Sequence, residues 1–242
     1  MTTTAMLNRV PGLLMSFGIA GTAEVHRFSV AGRMQKRTHR PDTAEVVAAA
    51  KADKATTDRP FWDALFRQLP GRSAEVQADV LKNAMYHHTM AKQATSTRLA
   101  LHDEVQVTAS LTAEVERLSF GQILALSSRL RDDSGHEWHI PMLDYRVPVS
   151  DSNQALIVGH LNALGEAGWV LQSGRSYHFI GDHLLAAPEG LMRFLGTALL
   201  FAPLVDGRWI AHQLIEGACS LRLSSGDERQ PPPHVVAVVA KS

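Results

Sequence analysis

Trp169-Val170-Leu171-Gln172, then Ser173-Gly174-Arg175, then Ser176-Tyr177-His178-Phe179-Ile180 reads as two short strands joined by a tight turn. Both arms are rich in β-branched, aromatic and apolar residues, and a glycine stands where the chain must reverse. In the second arm Ser176 and His178 are two apart, so they share one face while Tyr177 and Phe179 point into the opposite layer. Gly174 and Arg175 can present backbone N–H groups and a guanidinium to an anion. A single strand histidine is more often a satisfied structural group than a ligand. A serine, a histidine and an arginine in one hairpin point to a binding surface.

The segments on either side carry the same kind of signal. Ile123 to Arg131 and Glu137 to Arg146 read as two strands joined by the turn Asp132-Asp133-Ser134-Gly135. The stretch His139-Ile-Pro-Met-Leu-Asp144-Tyr-Arg146 puts a carboxylate near a strand end, where it either caps the next turn or meets a ligand. Asp151 is placed to cap a helix whose Ile157, Leu161 and Leu164 face one way, with Gly168 as its stop. Pro188 opens a helix to about Phe201, and Arg208 to Ala218 suits helix or strand. Leu221 to Leu223 is read as a strand, Ser224 to Pro233 as a polar loop and Val235 to Val239 as a final strand. Within Cys219-Ser-Leu-Arg222-Leu-Ser-Ser-Gly226, Arg222 projects from a strand into a Ser/Gly turn. Its guanidinium is shaped either for phosphate oxygens or for a surface ion pair. The order β-β-α-β-β-α-β predicts an α+β domain, a mixed sheet with helices on one face.

Residues 1 to 118 are expected to be mainly helical, with the boundary to the 119–242 domain between about 95 and 118. Asp42 to Asp53 is alanine-rich behind a capping Asp42. Pro60 precedes Phe61, Leu65 and Phe66, and from Ser73 the residues Val76, Val80, Leu81, Ala84 and Met85 follow helical spacing. None of these helices carries a catalytic signature. Between Arg27 and Arg40, Arg33, Lys36 and Arg37 occur with no acid among them, which suits a phosphate-contacting strip or an ordinary solvated surface.

Lysine plus arginine equals aspartate plus glutamate at 24 each, so no overall field draws the chain to nucleic acid or an anionic membrane. The one cysteine, Cys219, excludes an internal disulfide and a cysteine-rich zinc ribbon and suits a reducing, cytoplasmic setting. No run reaches the roughly 18 to 20 apolar residues of a membrane span. Val10 to Ala23 resembles a secretory leader, but Pro11 and Gly12 interrupt it, and a buried first helix is the simpler reading. His136 and His139 face opposite sides of a strand and His87-His88 diverge on a helix, so neither pair chelates locally. A metal site assembled from His139, His178 and Asp144 stays open.

Taken together, the Asp144 strand end, the "SGRSYHFIG" stretch and "LRLSSG" resemble the three-motif array of archaeo-eukaryotic primases and primase-polymerases. The closest similarity is to the bacterial group described as primase 1D-like, over about residues 119 to 240. The resemblance implies an RRM-like primase core with Asp144 at the first acidic motif. Ser176 and His178 form its small-x-His motif, and Arg222 is the arginine after the third acidic motif. It implies a nucleotidyltransferase that binds nucleoside triphosphate with Mg²⁺ or Mn²⁺, and single-stranded nucleic acid as partner. Asp144 and Glu216 are then the expected metal ligands, with Asp144, His178 and Glu216 catalytic. Arg175, Ser176, His178, Arg222 and Arg146 contact the nucleotide. Active members carry a second acid two positions after the first; here that position is Arg146, a cation. The alternative implied is a non-catalytic nucleotide- or nucleic-acid-binding domain of a defence or mobile-element system.

Overall fold

Alternation and helical spacing sort the chain into the following elements in the computed structural model, which describes residues 8–29, 40–57, 59–85, 94–225 and 231–241. The first part runs α1 (Val10–Ser16), β1 (Gly21–Ser29), α2 (Pro41–Thr56), α3 (Phe61–Arg67), α4 (Ala74–Ala84), β2 (Thr95–Ala100) and α5 (Glu104–Glu116). The rest runs β3 (Gln122–Asp132), β4 (Glu137–His139), β5 (Met142–Asp144), α6 (Asp151–Leu164), β6 (Gly168–Ser173) and β7 (Ser176–Gly181). It closes with β8 (Leu185–Ala186), α7 (Glu189–Leu199), α8 (Gly207–Glu216), β9 (Ser220–Arg222) and β10 (His234–Val239). The architecture is α+β.

Two compact units emerge, one of residues 31–88 and one of residues 1–30 with 89–242. The smaller unit holds α2, α3 and α4, whose Val46, Val47, Ala50, Ala64, Leu65, Val76 and Val80 form its core. The helical spacing read from Ser73 onward forms α4, and Ser73 caps it by accepting from the Val76 N–H. Asp42 lies in the first turn of α2 instead of capping it; Arg40 is the cap residue and offers no side-chain bond. Arg33, Lys36, Arg37, His87 and His88 lie outside the described residues.

In the larger unit two antiparallel sheets share one core. The first has the order β2-β1-β3-β4-β8, with β9 also on β3; the second has the order β10-β6-β7-β5. The pairing is antiparallel throughout, where mixed pairing was expected, because every neighbouring pair runs in opposite directions. Two strands, β1 and β2, lie in the stretch expected to be mainly helical. Ala23 and Val25 of β1 are fully buried while Glu24 between them is half-buried, the period-two pattern of a strand with one core face.

The expected strand from Glu137 to Arg146 is two strands in different sheets. Pro141 has no N–H for a ladder, and the chain crosses at Ile140-Pro141 from β4 on β3 to β5 on β7. The Trp169–Ile180 hairpin forms as read, with β6 pairing β7 from Gly168↔Gly181 to Ser173↔Ser176 and Gly174 at φ 70° in the turn. Helix α6 is capped by Ser150, which accepts from the Asn153 N–H, not by Asp151. It stops at Gly165 in the left-handed region, three residues before the expected Gly168. Arg208 to Ala218, which suited helix or strand, is mostly helix, as α8.

Candidate functional site

Strand β5 ends at Asp144, and β7 places His178 directly across from it. Paired residues in an antiparallel ladder project on the same face, so the two side chains meet, with His178 Nε2 3.5 Å from Asp144 Oδ1. Past β5 a single antiparallel bridge joins Tyr145 to Val205. Both bridge residues turn into the core, at 2% and 0% exposure. Alternation therefore brings their neighbours Asp144 and Asp206 out together on the opposite face. The register is held by the Asp206 N–H donating to the Asp144 carbonyl at 2.8 Å and the Arg146 N–H donating to the Leu204 carbonyl at 2.9 Å. Tyr145 is pinned by a 3.0 Å hydrogen bond between its hydroxyl and His160 Nδ1.

Burial and the facing Asp206 carboxylate push the Asp144 carboxyl up to about 8, against the opposing pull of Arg222 and the Tyr145 N–H. Burial, reinforced by the Arg222 charge, holds His178 down to about 3. At neutral pH, despite their close approach, Asp144 and His178 are therefore a protonated acid beside a neutral imidazole, not an ion pair. The His178 Nδ1 is buried with no hydrogen-bond partner among the described residues. Burial first and the neighbouring Asp206 charge second keep a proton on Asp144, and the two carboxylates form a donor pair in which a divalent cation can replace that proton.

The protonated state has a measurable consequence. Asp144 binds its proton more tightly folded than unfolded, so between its ordinary value of 3.8 and about 8 the native state holds the extra proton and stability falls as pH rises. His178, shifted the other way, acts between about 3 and its ordinary 6.5 and is silent above that. In a metal chelator, raising pH from 6.5 to 8 is thus expected to cost the wild-type chain about 1–2 kcal/mol relative to Asp144→Asn, measured by urea unfolding. Parallel pH curves for the two proteins overturn the assignment.

The other expected site residues divide into two groups. Arg222 comes from β9, where it faces Ala125 of β3 and donates from Nη1 to the carbonyls of Ser224 and Pro231 at 3.1 and 3.2 Å. Its charge acts on both Asp144 and His178. Arg146 stands half-buried beyond Asp144, with its charge acting on Arg208 in the first turn of α8. Ser176 uses its hydroxyl on the Tyr145 carbonyl at 2.5 Å, fastening the end of β5. Arg175 is exposed at the hairpin tip. Glu216 does not join this group: at the far end of α8 it lines a separate pocket with Glu24, His26, Ser96, Ser127, Arg129, Ala218 and Ser220.

His139 is fully buried, bonded to Ser128 Oγ at 2.9 Å with Glu137 3.4 Å away. Among the described residues no group of three or more His, Cys, Asp or Glu side chains is gathered as a metal cage. The residue that the motifs did not mark is Asp206, which also caps α8 by accepting from the N–H groups of Arg208 and Trp209 at 2.9 and 3.0 Å. An Asp-Gly step ahead of a helix was its one local signal. Asp144 and Asp206 suit one Mg²⁺ or Mn²⁺, which needs only one or two protein carboxylates when phosphate oxygens and water complete its shell.

No helix among the described residues is long and apolar enough to cross a membrane. Neither a curated protein nor a solved structure matches the chain. A family described as AEP-like, archaeo-eukaryotic primase 1D-like, matches residues 103–235, a span that contains Asp144, His178, Asp206 and Arg222. That span is more than half of the 242 residues, and the chain belongs to the archaeo-eukaryotic primase 1D-like family.

Proposed function

We propose that this site binds a nucleoside triphosphate with one divalent ion, Mg²⁺ or Mn²⁺, and transfers its nucleotidyl group to the terminal hydroxyl of a nucleic-acid strand, as a primase-type nucleotidyltransferase. The hydroxyl oxygen bonds to the α-phosphorus and loses its proton as the α–β phosphoanhydride bond breaks and pyrophosphate leaves. The observation that carries the reading is the pairing of Asp144 with Asp206 beside His178 and Arg222, brought from separate strands and a helix start. Asp144 and Asp206 hold the ion, which supplies charge neutralisation for the phosphates. Arg222 takes phosphate oxygens, and neutral His178 donates its N–H to the triphosphate. Glu216, expected from the sequence as the second ligand, sits with His26 instead, and its part passes to Asp206.

One observation favours a second reading. Arg146 stands on the Asp144 face, where the resemblance implies another acid, and this suits a domain that binds nucleotide without polymerising it. Incorporation of labelled nucleotide on a single-stranded template, with Mn²⁺ and with Asp144→Ala as control, separates the two. Product from the wild-type chain alone supports transfer. Calorimetric binding of nucleotide without product supports the second reading, and no binding near millimolar nucleotide removes both.

A further inference from the structure

We propose that a cavity between the C-terminal end of α6 and one face of α7 is a second ligand site that takes a free guanine nucleotide, with Glu166 accepting from the base and Arg193 meeting the phosphate. This goes beyond the nucleotide reading above and does not depend on it. The cavity has a volume of about 250 Å³, just under the roughly 300–1,000 Å³ of pockets for drug-sized ligands, and so suits one base. Leu164 at the end of α6, Leu185 of β8 and Phe194 of α7 give it apolar walls. Gly190, Arg193 and Phe194 share one face of α7, at i, i+3 and i+4. A Cβ at Gly190 would lie 3.3 Å from the Leu185 Cβ, so the glycine lets α7 close on β8.

Glu166 follows the left-handed Gly165 that closes α6, and its backbone is fixed by its N–H donating to the Leu161 carbonyl at 2.9 Å. Its side chain lines the cavity and is only 10% exposed, yet Oε2 has no hydrogen-bond partner among the described residues. His183 Nε2 is 3.6 Å away, beyond a hydrogen bond, and burial holds that imidazole below its ordinary 6.5 despite the pull of Asp182. Burial first and the Asp182 charge second push the Glu166 carboxyl up to about 7, as expected of an acceptor that lacks a donor. A carboxylate only accepts, so its ligand must donate. Guanine alone among the common bases offers two adjacent N–H donors, N1 and N2, to the two oxygens of one carboxylate. Adenine and cytosine set their amino group beside a ring nitrogen that accepts. The flat faces of the base fill the space between Phe194 and the leucines. An organic amine would also answer Glu166, but Arg193, exposed at the same cavity, repels a cation and favours a phosphate.

Calorimetry with GMP, AMP and guanosine in a metal chelator tests this, since Asp144 and Asp206 then hold no ion. GMP is expected to bind the wild-type chain about tenfold or more tighter than AMP. Glu166→Gln sets an amide donor against a guanine N–H, and is expected to weaken GMP about 10- to 30-fold and bring GMP and AMP within about threefold of each other. Arg193→Ala is expected to weaken GMP about fivefold and leave guanosine within about twofold of wild type. Urea unfolding curves that match wild type show that each variant is folded. Equal wild-type affinities for GMP and AMP, or unchanged GMP binding in Glu166→Gln, overturn the site. A single-stranded oligonucleotide carrying one guanine is the comparison ligand; if it binds and GMP does not, the base belongs to a strand and the proposal fails. A wild-type chain that binds a pyrimidine triphosphate with Mn²⁺ but no GMP near millimolar concentration loses this site alone. One that binds GMP as expected but no such triphosphate keeps this site and loses only the reading above.

Discussion

Asp206→Asn is expected to weaken Mn²⁺-dependent nucleotide binding about 100-fold and to abolish nucleotide incorporation, while leaving the fold at nearly wild-type stability. The substitution separates the two tasks of this side chain. As the α8 cap, Asp206 accepts from the Arg208 and Trp209 N–H groups, and asparagine caps a helix about as well. As the partner of Asp144 it contributes charge, which asparagine lacks. Without that charge the Asp144 carboxyl loses one of the two influences that raise it, so its proton leaves at lower pH than in the wild-type chain. Asp206→Ala removes the cap as well and is expected to cost a further ~1 kcal/mol of stability. Calorimetry at fixed Mn²⁺ reads the first effect and urea unfolding the second. Nucleotide affinity within threefold of wild type in Asp206→Asn would show that the facing carboxylate is not a ligand.

The largest expected effect on stability comes from Gly168→Ala. Gly168 has φ 146°, and an added Cβ would strike the Ile180 carbonyl oxygen and lie 2.6 Å from Gly181 Cα. Neither neighbour can yield, since both are backbone in the partner strand β7. Backbone strain and overpacking together are expected to cost about 3 kcal/mol or more, a large share of a typical domain's stability. Gly159 is the matched control: it lies within α6 with nothing within 4 Å of its would-be Cβ, so Gly159→Ala is expected to be neutral or to stabilise by about 0.5–1 kcal/mol. Urea midpoints of the two variants are expected to move in opposite directions or by very unequal amounts. A loss below 1 kcal/mol in Gly168→Ala would mean that the β6–β7 ladder yields at this pair.

Local patterns made the second sheet legible. The Trp169–Ile180 hairpin and the helix over 151–164 each rest on signals a few residues long, whereas the grouping of Asp144, His178 and Arg222 came from the resemblance of their order along the chain to a known motif array. What escaped is what depends on distant pairing. Strand β1 is stabilised by β3, about a hundred residues downstream, and by β2, some seventy downstream, so its alternation of Ala23 and Val25 with Thr22 and Glu24 competes with the apolar run before it. Asp206 reaches Asp144 through one isolated bridge at Val205, too short to leave any periodicity. Glu216 was the nearest carboxylate upstream of Arg222 along the chain, but α8 carries it ten residues away from the cap. The β4–β5 break has a visible cause in Pro141, though whether proline kinks a strand or passes it to another sheet depends on which partners are waiting.

That passage at Ile140-Pro141 sets Asp144 and His178 on one hydrogen-bonded ladder and Arg222 on the other. A bound polyphosphate would act as a rivet through both layers. Neither layer could then peel open without releasing it, and cargo held at this seam would turn two independently zipped fabrics into one.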